Sequence, residues 1–152
     1  MEYLEATVDK FIFRVPKDCI FSPEGIWFHS EPGPPSNRWR IGLTDFLQQH
    51  SGDLTFAILK PQGTRLAAGD EIGVVETVKV NVSLISPVAG TMVEVNSELE
   101  MTPELINQDP YGKGWLAMIE ASPDDDLAAR LMTASAYFEH MKVLAEAEVR
   151  SR

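Results

Sequence analysis

The residues from 78 to 84 alternate between apolar and polar side chains, and this pattern strongly limits the structures that the segment can form. The apolar positions are Val78, Val80, Val82 and Leu84, and the polar positions are Lys79, Asn81 and Ser83. A period of two is typical of an extended strand with one face on a core and the other in water. The pattern therefore predicts a half-buried β-strand that holds Lys79 outward, between two valines with little side-chain freedom.

Lys79 is also isolated in the sequence, because no other basic residue lies between Arg65 and Lys113. A single lysine displayed by a stiff backbone offers an enzyme one ammonium group to modify covalently. Exposed lysines are equally ordinary on strand edges, where they discourage aggregation between sheets. The local pattern alone leaves both interpretations open.

Longer strings of residues on both sides of Lys79 distinguish these interpretations. The strings are Glu76-Thr77-Val78-Lys79, Ser86-Pro87-Val88-Ala89-Gly90, Pro103-Glu104-Leu105-Ile106-Asn107 and Asp109-Pro110-Tyr111-Gly112-Lys113-Gly114-Trp115-Leu116. Together, from Gly63 to Ser122, they resemble the H protein of the glycine cleavage system, a small all-β carrier of lipoic acid. The resemblance implies a mainly β fold, an antiparallel β-sandwich of the lipoyl-domain type (a barrel-sandwich hybrid).

The resemblance also assigns roles to individual residues. It identifies Lys79 as the site of covalent lipoate attachment, at an exposed hairpin tip, and Glu76 as a residue recognised by the lipoate-attaching enzyme. Gly63, sixteen residues before the lysine, and Gly90, eleven residues after it, correspond to framework glycines of the lipoyl hairpin. The chain would then be a non-catalytic carrier with no catalytic residues of its own, since the attached cofactor carries the chemistry.

The partners follow from the same resemblance. A pyridoxal-phosphate-dependent glycine decarboxylase would load an aminomethyl group onto the lipoyl arm, and a folate-dependent aminomethyltransferase would remove it. A flavin-dependent dihydrolipoamide dehydrogenase would reoxidise the arm by thiol–disulfide exchange. A lipoate ligase or lipoyltransferase would attach the cofactor to Lys79.

Composition narrows the remaining possibilities. The 152 residues fit a single domain, and the net charge of −10 argues against binding to nucleic acid or to anionic membranes. No apolar run is long enough for a membrane span and no secretory signal is visible, so a cytoplasmic location is expected. Cys19 is interpreted as a small buried hydrophobe. His29, His50 and His140 are scattered, which predicts no metal site.

The chain pattern predicts where strands and helices lie. Residues 1–10 are expected to be a loosely attached extension, and short strands are expected at 11–15, 26–29, 39–43 and 54–59. Thr44 is predicted to cap a helix that runs to Gln49. Thr102 and Ser122 are predicted caps of two further helices, and residues 122–152 form a C-terminal helical segment. Its apolar stripe predicts packing on the β core, with a break near residues 133–137.

The sequence also departs from the family pattern. Ser22-Pro23-Glu24-Gly25-Ile26-Trp27 lacks the usual histidine before the tryptophan, and Val80 replaces the usual alanine after the lysine. Three hypotheses stay open: a glycine cleavage carrier, an H-like lipoate-binding protein of another pathway (heterodisulfide-reductase-like sulfur oxidation or lipoate relay), and an unmodified adaptor. A biotin carrier is disfavoured because biotinyl lysines usually lie between methionines.

Overall fold

Short antiparallel strands dominate the computed structural model, which describes residues 2–151. The strands are β1 (Tyr3–Val8), β2 (Phe11–Pro16), β3 (Ile20–Phe21), β4 (Ile26–Ser30), β5 (Arg38–Leu43), β6 (Leu54–Leu59), β7 (Arg65–Leu66), β8 (Glu71–Thr77), β9 (Asn81–Ile85), β10 (Gly90–Val95) and β11 (Ala117–Ala121). The helices are α1 (Asp45–Ser51), α2 (Leu105–Gln108), α3 (Leu127–Arg130) and α4 (Ala134–Arg150), and Ser97–Glu100 forms a 3-10 turn.

Two sheets pack face to face and enclose the main core. One sheet has the order β3-β4-β5-β11-β10-β7 and the other has the order β6-β8-β9. Fully buried side chains of the first sheet meet fully buried side chains of the second: Ile41, Met92 and Ile119 from the first, and Ile72, Val75 and Leu84 from the second. The predicted mainly β class, an antiparallel sandwich with short helices and a C-terminal helix, is confirmed.

The N-terminal residues do not form a loose extension, so that prediction is wrong for the strand at 3–8. β1 pairs with β2 along its whole length, from Tyr3 opposite Pro16 to Val8 opposite Phe11. The hairpin buries Val8, Phe13 and Val15 in a second core, against side chains of α4. Alternation in both strands gives the hairpin one apolar face, and α4 covers that face. Met1 lies outside the described residues.

The C-terminal segment forms two helices, as predicted, but the break lies at residues 131–133 rather than at 133–137, and residues 134–137 are helical. α3 ends at Arg130, and the Thr133 hydroxyl caps α4 by accepting a hydrogen bond from the Ala136 amide at 3.2 Å. Two predicted caps are wrong. Asp126, not Ser122, caps α3, and α2 begins after Glu104 without a side-chain cap from Thr102. Turns precede both helices, because Asp125 and Leu105 donate to the carbonyls of the residues predicted as caps.

Candidate functional site

Lys79 lies at the exposed tip of the hairpin formed by β8 and β9. The last paired positions are Glu76 and Asn81, so residues 77–80 make the turn. Val78 is 69% exposed and Val80 is 49% exposed. The predicted half-buried strand from residue 78 is therefore wrong for residues 78–80, although Leu84 does face the core. The alternation continues past the end of the sheet, where no second layer covers the valines.

Thr77, rather than the flanking valines, fixes the shape of this tip. Its hydroxyl oxygen accepts hydrogen bonds from the amides of Lys79 (3.2 Å) and Val80 (3.0 Å). The same hydroxyl donates to the Val80 carbonyl at 2.8 Å, and the Thr77 amide donates to that carbonyl at 2.9 Å. Threonine hydroxyls often close turns in this way. The sequence analysis did not assign this role to Thr77, although a threonine at the first position of a turn was a usable signal.

A second contact ties the tip to the body of the protein. The Val78 amide donates to the Asp53 carbonyl at 3.1 Å. Asn107, from the family-like string 103–107, holds the same loop: its side chain accepts from the Leu54 amide (2.9 Å) and donates to the Gly52 carbonyl (3.1 Å). The tip therefore rests on a braced loop, and the lysine is displayed from a stiff base.

The Lys79 side chain runs across Gly52, the residue that ends α1. A Cβ atom built on Gly52 would lie 3.6 Å from both Cδ and Cε of Lys79, and Gly52 has a φ of +89°. Glycine suits this position because other residues rarely adopt a positive φ. Among residues 2–151, no ion pair involves the Lys79 ammonium group. The ammonium is therefore available to a modifying enzyme.

A groove of about 360 Å³ begins at Lys79 and runs between the N-terminal hairpin, α1 and the end of α4. Its apolar wall is a row of rings in which Phe11 and Phe13 have centroids 6.4 Å apart, and Phe13 and Phe46 have centroids 5.5 Å apart. Phe46 then stacks on His50 at 5.7 Å. The wall combines residues far apart in sequence, and for this reason the sequence analysis did not find it.

Polar side chains line the rest of the groove. His50 Nδ1 lies 3.0 Å from the Glu148 carboxylate, so the end of α4 is joined to the end of α1. Asp53, Gln48, Gln49 and Asn107 complete the lining. The groove therefore offers an apolar wall and a hydrogen-bonding rim to whatever Lys79 carries.

Glu76 is not part of this groove. It lies half-buried on β8, opposite Phe56 of β6 and Asn81 of β9. There it lines a separate, shallow groove with Ile58 and Val74. The structure thus places the two residues of the family-like motif on different surfaces, three positions apart on one hairpin.

Gly63 and Gly90 lie at the base of the β8–β9 hairpin, at the far end from Lys79. Gly63 has a φ of +90°, and its amide donates to the Met92 carbonyl at 2.7 Å. A Cβ atom on Gly90 would lie 2.5 Å from the Glu120 carbonyl oxygen, so only glycine fits there without movement of the backbone. Their backbone roles differ: Gly63 supplies a left-handed turn and Gly90 a close approach between strands.

The string from Asp109 to Leu116 braces the groove from behind. The Tyr111 hydroxyl accepts from the Asp45 amide (2.9 Å) and donates to the Arg14 carbonyl (2.5 Å), so it joins α1 to the N-terminal hairpin. Burial raises the pKa of Tyr111 well above its ordinary value. The Trp27 indole donates to the Pro110 carbonyl at 3.0 Å. These residues position others and take no direct part in the site.

Cys19 is 4% exposed, and burial raises the pKa of its thiol to about 12. The interpretation of Cys19 as a buried hydrophobe agrees with this environment. Within the described part of the chain, no group of three or more His, Cys, Asp or Glu side chains is arranged to hold a metal ion. Between Glu2 and Ser151, no helix is both long and apolar enough to cross a membrane.

Comparison with known proteins identifies the family. Residues 24–144 match the family model described as glycine cleavage H-protein. The chain is 43% identical over 125 residues to the glycine cleavage system H protein of Salinibacter ruber, covering 82% of this chain and 96% of that protein. It is 44% identical over 113 residues to that of Carboxydothermus hydrogenoformans, covering 74% and 84%.

A solved structure gives the same result. The crystal structure of a glycine cleavage system H protein from Mycobacterium marinum superposes with a TM-score of 0.72 and 34% identity, covering 82% of this chain and 97% of that one. The family model begins after the N-terminal hairpin and stops before the last turns of α4. The match includes the Lys79 hairpin, the loop that braces it and the string from Asp109 to Leu116. The chain therefore belongs to the glycine cleavage H-protein family.

Proposed function

We propose that this chain is the lipoyl carrier of a glycine cleavage system and that lipoate is attached as an amide to Lys79. The observation that carries the proposal is the position of Lys79: exposed, outside any ion pair among residues 2–151, and held on a hairpin tip that Thr77 and the Asp53 carbonyl keep in one shape. A ligase would join the lipoate carboxylate to Nζ with loss of water, coupled to cleavage of a nucleoside triphosphate.

The groove beside Lys79 fits the chemistry of this group. A lipoyl arm is a long aliphatic chain with an apolar ring at its end, and the groove begins at the lysine and has an aromatic wall. Burial of apolar surface against that wall would stabilise a folded-back arm by roughly 25 cal/mol for each Å² removed from water. When bound, lipoate supplies a disulfide that accepts a carbon fragment or electrons.

The protein's own residues would bind and orient the arm and would catalyse nothing. Phe13 and Phe46, 6% and 8% exposed, belong to the aromatic wall and would keep water from that side of the arm. The His50–Glu148 pair at the rim offers a hydrogen-bonding site to a polar group at the end of the arm. Because the tip is stiff and the arm is flexible, the arm can exchange between the groove and a partner at high effective concentration.

The proposed partners are those of the glycine cleavage reaction. A glycine decarboxylase would load the arm, an aminomethyltransferase would unload it, and a dihydrolipoamide dehydrogenase would reoxidise it. A lipoate ligase or lipoyltransferase would recognise Glu76 near the lysine. The family membership and the acidic charge of −10 support interactions with basic clefts on such enzymes.

A second candidate is a lipoyl carrier of the same fold in another pathway. The observation that favours it is the part of the chain from which the groove's lining residues come. Phe11, Phe13 and Glu148 all lie outside residues 24–144, the part that matches the family model. A groove built partly from segments outside that match would present the arm differently, and so would suit a different set of partner enzymes.

Two measurements test these proposals in order. Co-expression with a lipoate ligase and free lipoate, followed by intact mass and peptide mapping, should give a lipoyl adduct on Lys79 that is absent in Lys79→Arg. The loaded protein should then support glycine–bicarbonate exchange by a purified glycine decarboxylase. An adduct without exchange would favour the second candidate. No adduct with several ligases would refute the carrier function and favour an unmodified adaptor.

A further inference from the structure

The outer face of the β6-β8-β9 sheet carries large apolar side chains that remain in solvent. Phe56 is 60% exposed and Ile58 is 59% exposed, and both lie on β6 with side chains pointing away from the core. Ile58 lies opposite Val74 of β8 in the strand register. Scattered exposed apolar residues are normal, but adjoining ones on a single face often mark an interaction surface.

This outer face contains a shallow groove, and charged side chains lie along it. Ile58, Val74, Glu76 and Asn81 line a shallow groove of about 390 Å³, together with Glu71 and Lys60 at the end of the face away from the tip. The Glu71 carboxylate accepts a hydrogen bond from the Ser83 hydroxyl at 2.7 Å, whereas Glu76 forms no ion pair among the described residues. The face therefore combines an apolar centre with an acidic side chain close to the hairpin tip.

The outer face continues to the lysine that we propose to be modified. Glu76 is three residues from Lys79 on the same hairpin. The exposed Val78 and Val80 flank Lys79 at the tip. The groove that begins at Lys79 and the groove on the outer face have no lining residue in common. The hairpin thus has two separate surfaces, of which only one contains the lysine side chain.

We propose that the outer face, centred on Phe56 and Ile58, is the docking surface for the enzyme that attaches lipoate to Lys79. This inference rests on the proposed carrier function. The reason is one of reach: an attaching enzyme must place its active site on Nζ itself and must therefore cover the hairpin. Enzymes that act on the end of a long arm can dock elsewhere. The outer face adjoins the tip through Glu76 and shares no lining residue with the groove that contains the Lys79 side chain.

The chemistry of the face specifies what the attaching enzyme presents. An apolar projection would fill the groove at Ile58 and Val74 and would contact the exposed Phe56 on the same strand, and a basic side chain would pair with Glu76. Desolvated apolar contacts at the centre of an interface supply most of the binding energy, and a charge at its edge mainly supplies specificity and association rate.

The test is the kinetics of lipoylation with a purified lipoate ligase, ATP and free lipoate, followed by intact mass. The double variant Phe56→Thr/Ile58→Thr keeps residues that favour strands and removes the apolar contacts. We expect its KM as a protein substrate to rise by about tenfold or more with kcat unchanged, since truncated central contacts typically weaken binding to this extent. Glu76→Gln should raise KM further, mainly through slower association.

Val143→Thr is the matched control, because Val143 is 62% exposed on α4 and lies outside the two grooves. An unchanged KM in the double variant, beside a wild-type chain that is lipoylated normally, would overturn the docking surface and leave the carrier function intact. A wild-type chain that is never lipoylated would instead refute the carrier function. Light scattering that shows a dimer lost in Phe56→Thr/Ile58→Thr would reassign the face to self-association.

Discussion

The Tyr111 hydroxyl joins the N-terminal hairpin to α1, and both of these elements line the groove. Replacing Tyr111 with phenylalanine tests this link. Tyr111→Phe keeps the ring that packs near Trp27, with centroids 6.1 Å apart, and removes only the hydroxyl. The Asp45 amide then loses its acceptor, and the Arg14 carbonyl loses its donor. The hairpin and α1 lose this bridge and keep two others, from the Arg14 amide to the Asp45 carboxylate (3.0 Å) and from the Gln49 side chain to the Ile12 carbonyl (3.1 Å).

The magnitude follows from these two hydrogen bonds. A hydrogen bond in a folded protein contributes about 0.5–1.5 kcal/mol net, and an amide left without a partner adds to the loss. The two bridges that remain between the hairpin and α1 limit the loss. We therefore expect the free energy of unfolding to fall by about 1–2 kcal/mol. For a chain of this size, this corresponds to a decrease in Tm of roughly 2–8 °C.

Hydrogen exchange distinguishes a local effect from a global one. Amides of β2 should exchange about five- to thirtyfold faster in Tyr111→Phe, while amides of β5 and β11 should change by less. Tyr3→Phe is the control, because Tyr3 is 37% exposed and belongs to the same hairpin. Equal exchange rates and equal Tm values in the two variants would refute the idea that the Tyr111 hydroxyl anchors the hairpin.

Three other outcomes are expected. Gly90→Ala should lower the free energy of unfolding by about 2–4 kcal/mol, because its Cβ would lie 2.5 Å from a backbone oxygen; a urea midpoint equal to wild type would contradict this. Stability should fall as pH rises from 9 to about 12, since burial raises the pKa of the Cys19 thiol and the unfolded chain loses that proton first. Cys19→Ala should flatten this decline in urea unfolding. Thr77→Val should speed exchange of the Lys79 and Val80 amides, measured by NMR, with little change in Tm.

Local patterns predicted the parts of the fold that local interactions determine. The strands expected at 26–29, 39–43 and 54–59 correspond closely to β4, β5 and β6, and the Thr44 cap is present. The sequence analysis failed where long-range packing decides. The first strand is stable because α4 covers it, and nothing within residues 1–10 indicates that cover. Motif resemblance, rather than periodicity, placed Lys79 at a turn.

The candidate site shows the same difference between features that a local motif predicts and features that depend on long-range packing. Lys79 and Glu76 were predicted as site residues from a single string of residues, because the motif that resembles the family is local. The groove was not identified, since its lining joins Phe13 of a hairpin, Phe46 of α1 and Glu148 of α4. Such a combination depends on the packing of three elements, and no spacing rule connects residues 13, 46 and 148. Only the structure brings them together.

The boundary of the family match divides the molecule by role. The hairpin with Lys79, its Thr77 turn and the Asn107 brace lie within residues 24–144, so the display of the lysine belongs to the part shared with the family model. The N-terminal hairpin and the last turns of α4 lie outside it and supply one side of the groove. With lipoate attached to Lys79 as proposed, changes in the segments outside the match should alter where the arm rests without altering how the lysine is displayed. Lipoate attachment and arm docking should therefore respond to different substitutions, and each can be measured in a variant that leaves the other intact.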